Sequence, residues 1–177
     1  EYRKFKKNRV ITIDDETLIG DTTLTRLLYL RQLASTYNPH KYQALRDLLI
    51  STNDRIVVFY NFKNEFKIIK SICEALDKPI SFINGDGTDL CNYEAENNTI
   101  TLVQYQAGAT GVNLQKANKV IYYSLTLSSE LWMQSKKRIH RIGQDRTCFY
   151  YYLITEKSVE EKILQVLKER RNFTLEL

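Results

Sequence analysis

The chain has 177 residues, of which 43% are hydrophobic and 27% are charged. This length suits one domain-sized unit with a substantial core, and the composition is that of an ordinary globular protein rather than a disordered one. Lysine and arginine (26) outnumber aspartate and glutamate (21), so the net charge of +5 favours an anionic partner.

Several kinds of protein are excluded by the same inventory. The three cysteines form no C-x-x-C pair and only two histidines are present, so we expect no disulfide framework and no metal site. No apolar run approaches the roughly 18 residues of a membrane span. The first residues also lack the apolar centre of a signal peptide. We therefore expect a cytoplasmic protein that does not bind a membrane.

The first 21 residues are predicted to form a basic arm and a hairpin. Five basic residues crowd the first nine positions, and residues 9–20 alternate β-formers around an acidic turn. A strand followed by Asp15 and Glu16 also mimics the Walker B element of an ATPase. The phosphate loop G-x-x-x-x-G-K-[S/T] that accompanies that element is missing from the chain, so the turn interpretation is preferred.

Residues 22–54 are predicted to form a helical lead-in. Leucines and alanines recur at helical spacing over residues 25–37, Asn38-Pro39 ends that run, and a second helix covers 41–50.

Residues 55–177 are predicted to form an α/β unit. A continuous apolar run at 56–60 indicates a strand covered on both faces, and a helix up to residue 76 leads to a strand at 80–83. Further strands are expected at 99–104, 119–124 and 148–154, and a closing helix at 159–170. This alternation predicts a parallel sheet with helices on both faces. The polar segment between Ile83 and Thr99 is too short for a good crossover helix with two loops.

The most informative stretch is Q-S-K-K-R-I-H-R-I-G-Q, residues 134–144. In a helix, Gln134, Arg138 and Arg141 would share one stripe. An adjoining apolar face would contain Leu131, Trp132, Ile139 and Ile142. Guanidinium groups suit bidentate contact with phosphate, so the stripe predicts a clamp for a nucleotide's terminal phosphate. The alternative is a solvated basic helix.

Several segments together resemble a known family. Y-Q-A-G-A-T-G-V-N-L (105–114) and the ending H-R-I-G-Q (140–144) resemble motifs V and VI of the superfamily-two helicases, and the ending is similar to that of the Swi/Snf-type ATPases. L-L-Y-L-R-Q-L-A (27–34) and R-I-V-V-F-Y-N-F (55–62) are similar to the lead-in and motif IV of that family's second lobe. The resemblance covers residues 22–170. It implies a three-layer, RecA-like fold of the P-loop NTPase type that lacks its own phosphate loop.

The resemblance also implies roles for individual residues. Arg138 and Arg141 match the motif VI arginines, at least one of which would contact the γ-phosphate of ATP, with Gln134 orienting them. The motif V loop would contact ATP through Gly111 and Asn113 and the DNA backbone through Gly108. A tight strand-to-helix turn that needs glycine for its φ angle alone remains the alternative for this loop. For His140 and Gln144, ordinary helix-end capping is as plausible as a direct role.

Other nucleic-acid contacts are less specific. Asn61 and Lys63 follow the first central strand at the motif IV position and would meet a DNA phosphate, or would simply form a helix cap and a surface lysine. Lys136 and Lys137 fall on the opposite face from the arginine stripe, which favours solvent or a DNA backbone over ATP.

Taken together, the resemblance implies the carboxy-terminal lobe of an ATP-dependent helicase or translocase that acts on double-stranded DNA. ATP and Mg²⁺ would be held chiefly by an amino-terminal RecA-like lobe of the same protein, so the isolated chain is expected to be inactive. Two rival hypotheses are a non-catalytic nucleic-acid-binding module with this fold and a Rossmann-like enzyme. The second needs a glycine fingerprint after a first strand, and V-V-F-Y-N-F-K-N at 57–64 has none.

Overall fold

Strand β3 (Ile56–Tyr60) lies at the centre of the molecule and is buried at every position. Its side chains alternate between two hydrophobic clusters: Val57 and Phe59 contribute to one, and Ile56, Val58 and Tyr60 to the other. The computed structural model describes residues 1–13, 16–107, 111–171 and 173. Asp15 and the side chain of Glu16, which mimic a Walker B element in the sequence, lie outside that description.

Six strands of the described chain form the main sheet, in the order β5-β4-β6-β3-β7-β8. The other members are β4 (Ile80–Asn84), β5 (Gly87–Asp89), β6 (Ile100–Gln104), β7 (Lys119–Tyr122) and β8 (Phe149–Tyr152). All neighbouring pairs are parallel except β4 and β5. The predicted parallel sheet is therefore confirmed, with one antiparallel strand added at its edge.

Helices cover both faces of the sheet. One face packs against α3 (Pro39–Ile50) and α4 (Lys63–Ala75) through the cluster that contains Leu45 and Ile69. The other face packs against α2 (Thr23–Ser35), α6 (Ser129–Lys136) and α7 (Val159–Lys168) through the cluster that contains Trp132 and Ile163. The predicted three-layer arrangement is confirmed.

The amino-terminal segment forms helix α1 (Tyr2–Asn8) and a hairpin of β1 (Val10–Ile13) and β2 (Glu16–Ile19). Phe5 of α1 is fully buried in a third cluster with Leu30 and Leu33 of α2. The Tyr2 hydroxyl accepts a hydrogen bond from the Val159 amide at the start of α7 (2.7 Å). The predicted hairpin is confirmed, and the predicted basic arm is a helix docked on the lobe.

Local capping explains where several helices begin. Asn38 accepts a hydrogen bond from the His40 amide (3.1 Å) and Pro39 occupies the first turn, so α3 begins two residues before the predicted position 41. Ser128 and Ser158 cap α6 and α7 in the same way.

Two predicted elements differ from the structure. Residues 83–99, expected to be too short for a crossover helix, contain the β4–β5 hairpin and the one-turn helix α5 (Cys91–Ala95). The helix that was expected to hold Gln134, Arg138 and Arg141 on one stripe ends at Lys136. It ends there because the Ser135 hydroxyl bonds back to the Trp132 carbonyl (2.7 Å) and the Arg138 carbonyl accepts from the Leu114 amide of a neighbouring segment (3.0 Å).

The carboxylate of Glu160 joins α3, α7 and the segment after β8. It accepts from the Lys41 ammonium (2.6 and 2.9 Å) and from the Thr155 amide (2.9 Å). The Lys41 and Glu160 side chains are only 2% and 3% exposed, so each charge depends on the other for compensation.

The helices within the described parts of the chain include none with the length and apolar character of a membrane span.

Replacing one member of this buried pair should destabilise the lobe strongly. We expect Lys41→Met to lower the free energy of unfolding by about 3–5 kcal/mol, because Glu160 is left buried and unpaired. Denaturant unfolding would measure this loss. The matched control is Lys70→Met, which removes an exposed pair with Glu74 (3.7 Å) and should change the free energy by less than about 1 kcal/mol. Equal effects in the two variants would contradict the assigned role of the buried pair.

Candidate phosphate-binding cleft

Two connecting segments meet to form the candidate site. The β6–β7 connection contributes residues 111–118 and the α6–β8 connection contributes residues 137–147. The Leu114 amide donates to the Arg138 carbonyl (3.0 Å), which joins the two connections through their backbones. The Gln144 amide nitrogen donates to the carbonyls of Gln115 (2.9 Å) and Ala117 (2.7 Å), just before β7. The α6–β8 connection is thus anchored to the residues that directly precede β7.

A cleft of about 490 Å³ lies between these connections. It is lined by Gly111, Gln134, Lys137, Arg138, His140, Arg141 and Ile142. Four of the residues predicted to bind or act on ATP therefore lie together, although the single helix that was expected to align them is absent.

Arg138 is a largely buried cation, with 8% of its surface exposed. Its guanidinium donates one long hydrogen bond to the Val112 carbonyl (3.4 Å), and none of the ion pairs within the described parts of the chain involves it. Burial, and then the nearby charge of Arg141, lower the pKa of Arg138 from its ordinary value. A buried charge is costly unless an opposite charge compensates it, so this position suits an anionic ligand.

Arg141 is exposed at the mouth of the cleft and donates to the side-chain carbonyl oxygen of Asn113. An amide orients the guanidinium and leaves its positive charge available. Asn113 was predicted to contact the nucleotide directly, and the structure places it as a partner of Arg141.

Gln134 lines the cleft but does not hydrogen-bond to the arginines it was predicted to orient. Its amide nitrogen donates to the Glu130 carboxylate one turn earlier on α6 (3.0 Å). This partner is available because residues four apart lie on the same helix face, whereas the arginines follow the end of the helix.

Gly111 has a φ of +83°, a left-handed conformation that favours glycine. A Cβ atom at this position would meet no atom within 4 Å. The backbone angle therefore accounts for this glycine. The strand-to-helix turn that was the alternative for this loop is not found, because no helix lies between β6 and β7 among the described residues. Gly108, predicted to contact DNA, lies outside the described residues.

The predicted helix faces of two residues beyond Lys136, Lys137 and Ile142, are wrong. Ile142, expected on the buried apolar face, is 100% exposed, whereas Trp132 and Ile139 are buried as predicted. Lys137, expected opposite the arginines, lines the same cleft. Both differences arise because the chain leaves the helix at Lys136, after which the 100° periodicity no longer applies.

Lys136 points away from the cleft, with its ammonium 3.5 Å from the centre of the Trp132 ring. Burial, and then the neighbouring charges of Arg170 and Lys168, lower the pKa of Lys136. The charges that follow the end of α7 thus act on Lys136 at the end of α6.

Of the two motif IV residues, Asn61 bonds within the lobe and Lys63 is exposed on its surface. The Asn61 amide nitrogen donates to the Ser124 hydroxyl (2.8 Å) and the Leu125 carbonyl (3.0 Å), which commits it to the loop after β7. Lys63 is exposed, and its ammonium lies 3.9 Å from the Asp86 carboxylate. From the sequence, a DNA contact and a structural role are equally open for these two residues. The hydrogen bonds of Asn61 favour a structural role for that residue.

Glu65 and Gln144 hold neighbouring segments of the backbone in place. No prediction was made for Glu65, and capping and a direct role were equally open for Gln144. Buried Glu65 accepts from the amides of Asn61 (2.8 Å) and Phe62 (3.0 Å) and from Ser124 (2.8 Å). Glu65 lies three residues after the cap residue Phe62, the position from which a glutamate reaches back to the cap amide, but Phe62 lacks the side-chain acceptor that completes the usual capping-box signature. Gln144 braces the two connections, whereas His140 is exposed at the cleft.

A three-layer α/β lobe with an arginine cleft on the β6–β7 and α6–β8 connections has the architecture of a RecA-like helicase lobe. The model of the helicase conserved C-terminal domain matches residues 40–143. The chain belongs to this family.

Relatives of the chain confirm the resemblance to Swi/Snf-type proteins. The ATP-dependent helicase FUN30 of Saccharomyces cerevisiae is 28% identical over 135 residues, 71% of this chain and 12% of that protein. The ATP-dependent helicase fft1 of Schizosaccharomyces pombe is 31% identical over 63% of this chain and 12% of that protein. The solved C-terminal part of the Fun30 ATPase domain matches 72% of this chain and 44% of that one, with a TM-score of 0.64 and 28% identity. The chain spans about an eighth of these two full-length relatives.

Removing the Gln144 side chain should loosen the cleft without unfolding the lobe. In Gln144→Ala, the carbonyls of Gln115 and Ala117 lose a donor, at a cost of about 1–3 kcal/mol. We expect the Leu114 amide to exchange its hydrogen faster, by roughly tenfold or more. The matched control, Gln43→Ala, removes an exposed glutamine that donates to Asp47 on α3 and should leave this exchange unchanged. Unaltered exchange at Leu114 in both variants would show that Gln144 does not brace the cleft.

Proposed function

We propose that this chain is the second RecA-like lobe of an ATP-dependent DNA translocase and that Arg138 and Arg141 contact the γ-phosphate of ATP. The buried guanidinium of Arg138, with one weak hydrogen bond and no ion pair among the described residues, is the observation that supports this proposal most strongly. Since the fold maintains this charge at a cost, an anionic ligand at the cleft would relieve it.

The two arginines suit phosphoryl transfer in different ways. Transfer of a γ-phosphoryl group needs positioning and neutralisation of charge on its oxygens more than covalent chemistry by the protein. Arg138 is held in place before the ligand arrives, and Arg141 at the rim would reach a nucleotide that another lobe presents. Lys137 lines the same cleft and would add to its positive potential.

The lobe that holds ATP lies elsewhere in the full-length protein. The sequence contains no phosphate loop, and the described residues contain no group of three or more histidine, cysteine, aspartate or glutamate side chains placed to hold a metal ion. We therefore assign ATP and Mg²⁺ chiefly to the amino-terminal RecA-like lobe. This division leaves the isolated chain without ATPase activity.

Double-stranded DNA is the proposed nucleic-acid partner. Lys136 supports this assignment, because it is a cation that does not line the ATP cleft and that the charges of Lys168 and Arg170 reinforce. Exposed Lys63 is a further candidate for a phosphate contact. A cytoplasmic location remains part of the proposal.

Loss of either arginine should stop turnover while leaving ATP bound. In the full-length protein, Arg138→Ala or Arg141→Ala should lower kcat for ATP hydrolysis by about a thousandfold, because the charge on the γ-phosphate is no longer neutralised. The KM for ATP should change much less. Steady-state kinetics with saturating DNA measures both constants.

Arg46→Ala is the matched control for the arginine variants. Arg46 is an exposed arginine on α3, outside the cleft, and its removal should leave kcat unchanged. Full activity in both cleft variants would refute the proposed phosphate contact.

The lysine at the end of α6 should affect DNA binding through charge alone. For the full-length protein, Lys136→Met should lower the slope of log affinity against log salt concentration by about one unit, because one phosphate contact is lost. Lys67→Met, an exposed lysine on α4, serves as the control and should retain the original slope. The same slope in both variants would remove Lys136 from the DNA path.

A further inference from the structure

Ile142 is an apolar side chain surrounded by cations. It is 100% exposed at the rim of the cleft, although isoleucine is among the residues most often buried. Its companions in the cleft include Lys137, Arg138, His140 and Arg141. Ile142 therefore contributes nothing to the hydrophobic core of this lobe.

The backbone holds Ile142 outward on an anchored turn. Gly143, directly after it, has a φ of +93°, a left-handed conformation that reverses the chain. Gln144 then anchors the turn to the Gln115 and Ala117 carbonyls (2.9 and 2.7 Å). The isoleucine is thus presented at a defined place beside Arg141.

Resting on the proposed function, we infer that Ile142 inserts into an apolar pocket on the amino-terminal lobe, next to the nucleotide, when the two lobes close. Ile142 follows Arg141 directly, and consecutive Cα atoms are about 3.8 Å apart. A surface that covers Ile142 therefore lies beside the phosphate that Arg141 contacts. Because the amino-terminal lobe holds that phosphate, the same lobe supplies the pocket.

Burial of Ile142 would couple closure of the lobes to catalysis. The inserted side chain excludes water from the rim of the cleft, and the arginine charges then act on the phosphate in a medium of lower dielectric constant. Ile142 is in this sense a positioning residue. It affects the rate through the closed arrangement of the lobes and leaves the binding of ATP to the open protein unchanged.

A comparison of isoleucine variants in the full-length protein tests the contact. Ile142→Ser should lower DNA-stimulated kcat by about tenfold, because the pocket loses its apolar occupant, whereas the equilibrium affinity for ATP without DNA should stay the same. Ile142→Val preserves most of the apolar surface and should retain most of the activity. Ile50→Ser changes an isoleucine of α3 that is 54% exposed and should have no effect.

A labelling experiment measures the contact without activity. In full-length Ile142→Cys with exposed Cys91 changed to serine, a maleimide should label position 142 rapidly in the free protein. DNA and a non-hydrolysable ATP analogue together should slow this labelling by about tenfold, because closure covers the side chain. Ile50→Cys should be labelled equally in both states. Mass spectrometry of the peptide containing each cysteine provides the rates.

The outcomes separate this inference from the function on which it rests. Unchanged kcat in Ile142→Ser, or equal labelling of position 142 with and without DNA and nucleotide, overturns the inference. If the arginine variants lose turnover in the same assays, the proposed function still holds. If neither the arginine variants nor the isoleucine variants change turnover, the proposed function is wrong as well.

Discussion

The docking of the α6–β8 connection onto the β6–β7 connection is the interaction on which the candidate site depends. Its anchors are the Leu114–Arg138 backbone bond and the Gln144 side chain, which satisfy groups that would otherwise lack partners. The β6–β7 connection leads into β7, which pairs in parallel with β3 on one side and with β8 on the other, and the α6–β8 connection leads into β8 at the edge of the sheet. The positions of the cleft cations thus derive their stability from the buried sheet.

In the proposed function, the two cleft arginines provide charge for a ligand that this lobe does not hold by itself. Arg138 is buried before any ligand arrives, so its cost is met by the folding of the lobe. Arg141 is exposed and is oriented by an amide, which leaves its charge unneutralised. We propose that this lobe operates together with a second lobe that holds ATP. The electrostatic contribution of the cleft to ATP hydrolysis then depends on how closely the second lobe approaches.

Much of the fold follows from local sequence patterns. Most differences between the predicted and the observed structure lie where contacts between residues far apart in the sequence determine the conformation. The continuous apolar run Ile56–Tyr60 identified β3 to the residue, because complete burial leaves little alternative. The end of α6 was misplaced because the Arg138 carbonyl is taken by Leu114, 24 positions earlier in the chain, and no periodicity records such a bond. The same error predicted Ile142 as buried. Family motifs identified four of the cleft residues, Gly111, Gln134, Arg138 and Arg141. They did not identify the Arg141–Asn113 and Gln134–Glu130 pairings, which depend on three-dimensional placement.

The hydrogen bond between Tyr2 and Val159 joins residues 157 positions apart and has a consequence for synthesis of the protein. On a ribosome, helix α1 is made long before α7, so its Tyr2 hydroxyl stays in water until the last helix emerges. Contacts of such wide sequence separation form late, because a long loop must close before they contribute. The contact between α1 and α7 therefore forms only when nearly the whole segment has been translated, whereas the packing of Phe5 against α2 needs only nearby residues.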